Sequence, residues 1–305
     1  MRDYVVKRVL RSFLVLFGLS LAVFALLSIS GDPATIMLPP EAPMSEVISL
    51  RKALGFDQPL HIQYLKFLAR AVRGEFGNSW QYGLPAINLV LEFFPATFQL
   101  ALAALLFALV VGIPLGVVSA IREGSLIDAL GLSLGVVGRA MPSFWLGIML
   151  ILVFAVNLKV LPTSGKGELR HLVLPAITLS TAFLAQIVLL VRSGMLDVLR
   201  EDYIRTARAK GLQPYTINMR HAFRNTLIPV VTMVGLTFGR LLGGSVITES
   251  VFSWPGVGRL AVQAVSARDF PLVQASVVVF ALWIVLANLI VDLLYAFLDP
   301  RIRYG

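Results

Sequence analysis

Few side chains in this sequence are arranged for bond-making chemistry. Cysteine is absent, which removes thiol nucleophiles, thiolate metal sites and disulfides together. His61, His171 and His221 stand alone, with no second ligand at metal-binding spacing. The nearest approach to a phosphate-binding loop is Ser164-Gly165-Lys166-Gly167. It lacks the earlier glycine and the Ser or Thr that would hold magnesium. The expectation is therefore no catalytic residue, no metal ligand and no cofactor in this chain. What remains is charge in unusual company: Arg139 and Arg240 inside apolar stretches, and the cations Arg205, Arg208 and Lys210 close to Tyr203, Thr206, Ala207 and Gly211. Such groups recognise rather than react, holding carboxylates, anionic headgroups or the rim of a partner protein.

The composition says what medium these residues work in. Of 305 residues, 57% are hydrophobic and 14% charged, with a mean hydropathy of +0.83. A soluble domain carries roughly a quarter of its residues charged, so a membrane protein is expected. The net charge of +9 then reads as cytoplasmic flanking charge, not as a nucleic-acid surface.

A spanning helix needs about 20 apolar residues, and six stretches approach that length. They are Val9 to Ile29, Phe93 to Ile121, about Ile127 to Asn157, Leu172 to Val191, about Thr226 to Val251, and Phe270 to Val291 with a tail to Leu298. Gly112, Pro114 and Gly116 are expected to bend the second. The amino-terminal tail, the connections after the second and fourth spans, and the carboxyl end carry fourteen Lys and Arg. The two short connections on the other side carry five. Both termini are therefore expected in the cytoplasm. Lys7, Arg8 and Arg11 before an apolar run also suggest a secretory signal. The uncharged run from Ser12 to Ser30 exceeds the roughly 7–15 residues of a signal core, so a retained anchor helix fits better.

The chain thus divides into a tail and first span over 1–30, an extracytoplasmic loop over 31–92, and a five-helix core over 93–305. In the loop, Leu50, Leu54, Leu60, Tyr64, Phe67, Leu68 and Ala71 predict two short amphipathic helices parted by Gly55 to Pro59. A cap on the bilayer surface and a platform for an external partner both fit.

At 196–212 the pattern changes. Leu196, Leu199, Tyr203 and Ala207 recur at three and four residues and predict one helical face. Asp197, Glu201 and Asp202 come early and Arg205, Arg208 and Lys210 late, matching the helix dipole, and Gly211 ends the helix. Two roles fit. The cations hold lipid headgroups, or the short Thr206 and Ala207 let the helix enter a groove of a cytoplasmic protein.

Glu201-Asp202-Tyr203-Ile204-Arg205-Thr206-Ala207-Arg208-Ala209-Lys210-Gly211-Leu212, followed by Arg220-His221-Ala222-Phe223-Arg224-Asn225 and Leu227-Ile228-Pro229, resembles the coupling motif of ATP-binding-cassette importer permeases. The similarity is to the branch serving dipeptides, oligopeptides, nickel and related solutes. Gly31-Asp32-Pro33, Leu54 to Leu60, Pro95-Ala96-Thr97, Phe252 to Arg259, Arg268 to Pro271 and Leu298 to Arg301 agree, so the resemblance covers essentially the whole chain. Arg205 and Thr206 depart from the general pattern in a way familiar within this branch.

The resemblance implies an all-α, six-span permease of the type I importer kind in a bacterial or archaeal inner membrane. Tyr203, Arg205, Thr206, Ala207, Arg208, Lys210 and Gly211 would form its coupling surface. Its implied partners are a second homologous permease, two cytoplasmic ATP-binding subunits that hold ATP and magnesium, and an extracytoplasmic solute-binding protein. The cargo would be peptides or related carboxylate-bearing solutes, with nickel, glutathione or another non-peptide solute as the alternative. A membrane-embedded enzyme would need clustered catalytic groups at one depth, and a stand-alone channel would need no coupling helix.

Arg139 and Arg240 lie roughly 18–21 Å from the cytoplasmic ends of their spans. A cation there costs on the order of 3 kcal/mol unless it is paired or faces a wet cavity. Pairing with Glu249, Asp292 or carbonyls freed near Pro142 fits, and so does a place on the translocation path. Gly235, Gly239, Gly243 and Gly244 predict a smooth groove for a neighbouring helix, and Phe252 to Arg259 an external turn with Trp254 at the interface.

Overall fold

The structure is a computed structural model that describes residues 2–29, 31, 33–39 and 41–298. Twelve α-helices and two π-helical segments are present among these residues, and no strand. Helices α1 (Arg2–Ile29), α5 (Ala86–Ile121), α8 (Arg170–Leu199) and α12 (Phe270–Leu298) are single rods. Each contains a stretch long and apolar enough to cross a bilayer. Two further candidate spans are bent. α6 (Leu126–Ala140) meets α7 (Ser143–Leu150) and its π-helical extension Ile151–Asn157 at 111°, and α10 (Arg224–Val251) bends by 43° between Gly235 and Thr237.

The third expected span is therefore not one rod but two limbs. Pro142 has no N–H for the helix ladder and disfavours helical backbone at the residue before it. Met141 is extended, with ψ at 127°. α5 runs as one continuous helix through Pro114, and it starts at Ala86, after the turn that ends at Pro85, earlier than the expected Phe93.

The contacts fall into two units, 1–97 with 255–289, and 98–254 with 290–305. In the first, α3 (Met44–Leu54) ends at Gly55, whose φ of 76° lets Phe56 N–H reach the Arg51 carbonyl. Pro59 then caps α4 (Leu60–Ala71). The apolar face expected along these two helices is only partly used: Tyr64 is buried, whereas Leu54 and Leu60 stay exposed. Tyr64 Oη lies 2.9 Å from Ser20 Oγ, and its ring lies 5.3 Å from that of Phe24. α4 is thus packed on α1. Before α5, Ser79 Oγ and the Gln81 N–H both donate to Asp269 Oδ2, while Asp269 Oδ1 caps the Leu272 N–H at the start of α12. Trp80 stacks near Phe270 beside this knot. In the same unit α11 (Val257–Ser266) is anchored by its first N–H, which donates to Thr97 Oγ1 at 2.9 Å.

The second unit is built around α8. Its neighbours come close because they present glycine. Gly112 and Gly116 of α5 face Ile187 and Val191, and Gly135 and Gly138 of α6 face Leu189 and Thr181. Phe252 and Trp254 are buried here, each 1% exposed, with the Phe252 ring against Gly147 and Lys166 Nζ over the Trp254 ring. The interfacial position expected for Trp254 is therefore replaced by a core position. A fully buried indole contributes its large apolar area to packing and not to a water boundary.

Candidate coupling surface and buried charges

The segment expected as one helix from Leu196 to Gly211 is two. α8 continues to Leu199, Glu201 is extended with ψ at 149°, and α9 spans only Asp202–Ala209. That two-residue break resets the helical phase, so the face extrapolated from Leu196 and Leu199 does not carry into α9. The inward residues are Ile204, fully buried, and Ala207, 8% exposed. They sit with Ile217 of the following π-helical segment Thr216–Phe223, and Val198 and Leu199 cover them from α8. Ala207 is consequently part of the seat of α9 and not of its outer surface.

The outer surface carries Tyr203, Arg205, Thr206, Arg208 and Lys210, all exposed. Tyr203 Oη accepts a hydrogen bond from Asn225 Nδ2 at 2.7 Å, which ties α9 to the start of α10. Arg205 lies 3.3 Å from Asp202 on the same helix, with both side chains largely in solvent, a pair that contributes little on its own. Thr206 Oγ1 donates to the Asp202 carbonyl at 3.1 Å. Gly211, at φ of 75°, closes the helix, and Leu212 N–H returns to the Ala207 carbonyl. The result is a rigid, convex, cationic knob on an apolar seat, suited to entering a cleft.

Arg139 is the penultimate residue of α6, where it opposes the negative end of the helix dipole beside the 111° bend. Arg240 lies on α10 in an exposed row with Gly243, Gly244 and Ile247. Neither arginine has an ion pair among the described residues. Glu249 is fully buried farther along α10, and the side chain of Asp292 lies outside those described. Among the described residues, no charged group is paired with Arg139 or Arg240. The structure leaves both of them on surface that this chain by itself does not cover.

A charge cluster that sequence reading passed over lies in the same unit. Asp128, 3% exposed, sits in the first turn of α6. Its carboxylate accepts a fork from Arg192 of α8, with Nε on Oδ1 and Nη2 on Oδ2 at 2.8 Å. Ser119 Oγ of α5 and the Gly124 N–H complete the set. Arg192 follows the apolar run of the fourth span, so its position in the sequence suggests a connection charge. The available signal was Asp128 itself, a lone acid in an apolar stretch that requires a partner. Glu123 and Arg200 form a second, exposed contact at 3.1 Å nearby.

The model for the binding-protein-dependent transport system inner membrane component matches residues 112–304, and the model for the N-terminal part of such membrane components matches residues 1–101. The glutathione transport system permease protein GsiC of Escherichia coli is 42% identical over all 305 residues, with both chains covered completely. Its counterpart from Salmonella typhimurium is 41% identical, again over both full lengths. Among solved structures, inward-facing conformations of the MetNI methionine ABC transporter align with a TM-score of 0.55 at 19% identity, covering 69% of this chain and 96% of that one. At that identity the likeness is one of fold.

Proposed function

Because the chain belongs to the family of binding-protein-dependent transport system inner membrane components, we propose that it is the permease subunit of an ATP-driven importer. In this reading it forms half of a path for peptides or related carboxylate-bearing solutes. A second homologous permease supplies the other half, two cytoplasmic ATP-binding subunits supply the energy, and an extracytoplasmic binding protein delivers the cargo. Both termini and α9 face the cytoplasm. ATP and magnesium are held by the partners, and this chain performs no hydrolysis.

One observation carries the reading: a short helix, seated on Ile204 and Ala207, that turns Tyr203, Arg205, Thr206, Arg208 and Lys210 outward as a single compact knob. Motion of that knob is passed to the spans, which alternate between two openings. Arg240, in an uncovered row with Gly243 and Gly244, lines the path and meets solute carboxylate. Arg139 does the same at the bend of α6. The solute named for the GsiC relatives, glutathione, is the alternative cargo; it carries two carboxylates and so suits the same cationic path.

The experiment is co-purification with ATP-binding subunits sought among the products of neighbouring genes. Thr206→Trp, an outward substitution that fills the cleft space, should leave the chain in the membrane and abolish ATPase retention. A complex that forms equally well with this variant, or a chain that transports without any ATPase, overturns the proposal.

A further inference from the structure

The cluster at Asp128 joins more elements than any other polar site described in the second unit. One carboxylate takes hydrogen bonds from the end of α5, from the α5–α6 turn, and from Arg192 on α8, while belonging itself to α6. Packing on either side of it leaves no slack. A Cβ on Gly116 would lie 2.8 Å from Val191 Cβ, one on Gly131 would lie 3.0 Å from Ser119 Oγ, and one on Gly135 would lie 3.0 Å from the Leu189 side chain. α8 is thus held between glycine faces of α5 and α6.

The same end of α8 carries α9. Only Arg200 and Glu201 intervene, and Ile204 and Ala207 are covered by Val198 and Leu199. The rigid grouping ends at the far end of α6, where Met141 is extended and the chain turns through 111° next to Arg139.

We infer that Asp128 and Arg192 are positioning residues: their fork pins α6 to α8, so that a displacement of α9 moves α5, α6 and α8 as one body and is delivered to the bend at Met141–Pro142. Glycine-lined faces bring the helices close by van der Waals packing, but they carry no directional polar contact. A bidentate guanidinium–carboxylate pair fixes both distance and orientation, and lysine cannot reproduce it. Burial makes the pin costly to break and keeps salt from screening it. The inference rests on the importer reading for the source of the force.

The test uses the assembled complex in nanodiscs; this chain has no cysteine, and any cysteine of the partner subunits is replaced or blocked before labelling. Nitroxides at Leu130→Cys on α6 and Asp197→Cys on α8, both exposed positions, report the separation of the two helices. It should stay within about 2 Å between nucleotide-free and ATP-trapped states. A larger ATP-dependent change in the otherwise native complex overturns the pin.

In a second arm, Ala140→Cys beside the bend is labelled with a maleimide. Its rate should differ about fivefold or more between the two states. Arg192→Lys should collapse that difference while the bound ATPase still hydrolyses ATP. A merely structural fork would instead lower the amount of complex and leave the surviving complex fully responsive, and that result refutes the inference. Should Arg192→Lys fail to assemble, the distance measurement decides alone. If ATP changes nothing even with Arg192 in place, or no ATPase binds, the importer reading fails instead, so the two failures are distinguishable.

Discussion

Gly116→Ala is a small substitution with a large expected consequence. A Cβ at that position would lie 2.8 Å from Val191 Cβ, 2.9 Å from the Val188 carbonyl oxygen and 3.0 Å from Val191 Cγ1. Carbon atoms rest at about 3.5–4.0 Å, so α5 and α8 must part by about 1 Å. Val191 is fully buried, and the carbonyl belongs to the helix backbone, so neither moves aside without cost. Overpacking of this kind costs about 1–3 kcal/mol. Alanine returns about 0.5–1 kcal/mol because glycine inside a helix is entropically unfavourable. The net is a loss of up to about 2.5 kcal/mol, centred on about 1, which should lower the unfolding midpoint of the detergent-solubilised chain by a few degrees. Gly18→Ala in α1 is the control: no atom lies within 4 Å of its would-be Cβ, so only the helical gain remains. A Gly116→Ala protein as stable as wild type, or more so, would refute the argument that close approach to α8 is why glycine stands there.

Other substitutions test separate joints of the molecule. Asp269→Ala removes the acceptor for Ser79, Gln81 and Leu272 and should cost on the order of 3 kcal/mol, read as a lowered midpoint and faster proteolysis between Ala71 and Ala86. Tyr64→Phe deletes the contact with Ser20 but keeps the ring on Phe24, so a loss of about 1 kcal/mol is expected in the same melting assay. Arg240→Gln should lower uptake of an anionic peptide in proteoliposomes about tenfold while leaving ATPase retention intact, a loss of roughly 1.4 kcal/mol in solute interaction; unchanged transport would remove Arg240 from the path.

Much of the architecture was written in local composition. Runs of apolar residues announce spans because the bilayer sets a length that no soluble core demands. Gly55 and Gly211 mark helix ends because their positive φ angles suit them to those turns. The outward cations of α9 could be found as well, since Arg205, Arg208 and Lys210 cluster along the chain. Its seat could not. Phase was extrapolated through Arg200 and Glu201, and a two-residue break in the helix was enough to put Tyr203 outside and Ile204 inside.

The order and apolar character of the spans and the place of the cationic knob follow from residue types along the chain, because hydrophobic length, charge and turn chemistry act between near neighbours. The 111° bend of the third span, the burial of Trp254, the packing of Tyr64 on α1 and the fork of Arg192 on Asp128 came only with the tertiary structure. The bend has a local cause in Pro142, although its angle does not; the other three depend on which distant helix supplies the facing surface or the group that completes a pair, and no local pattern encodes that choice.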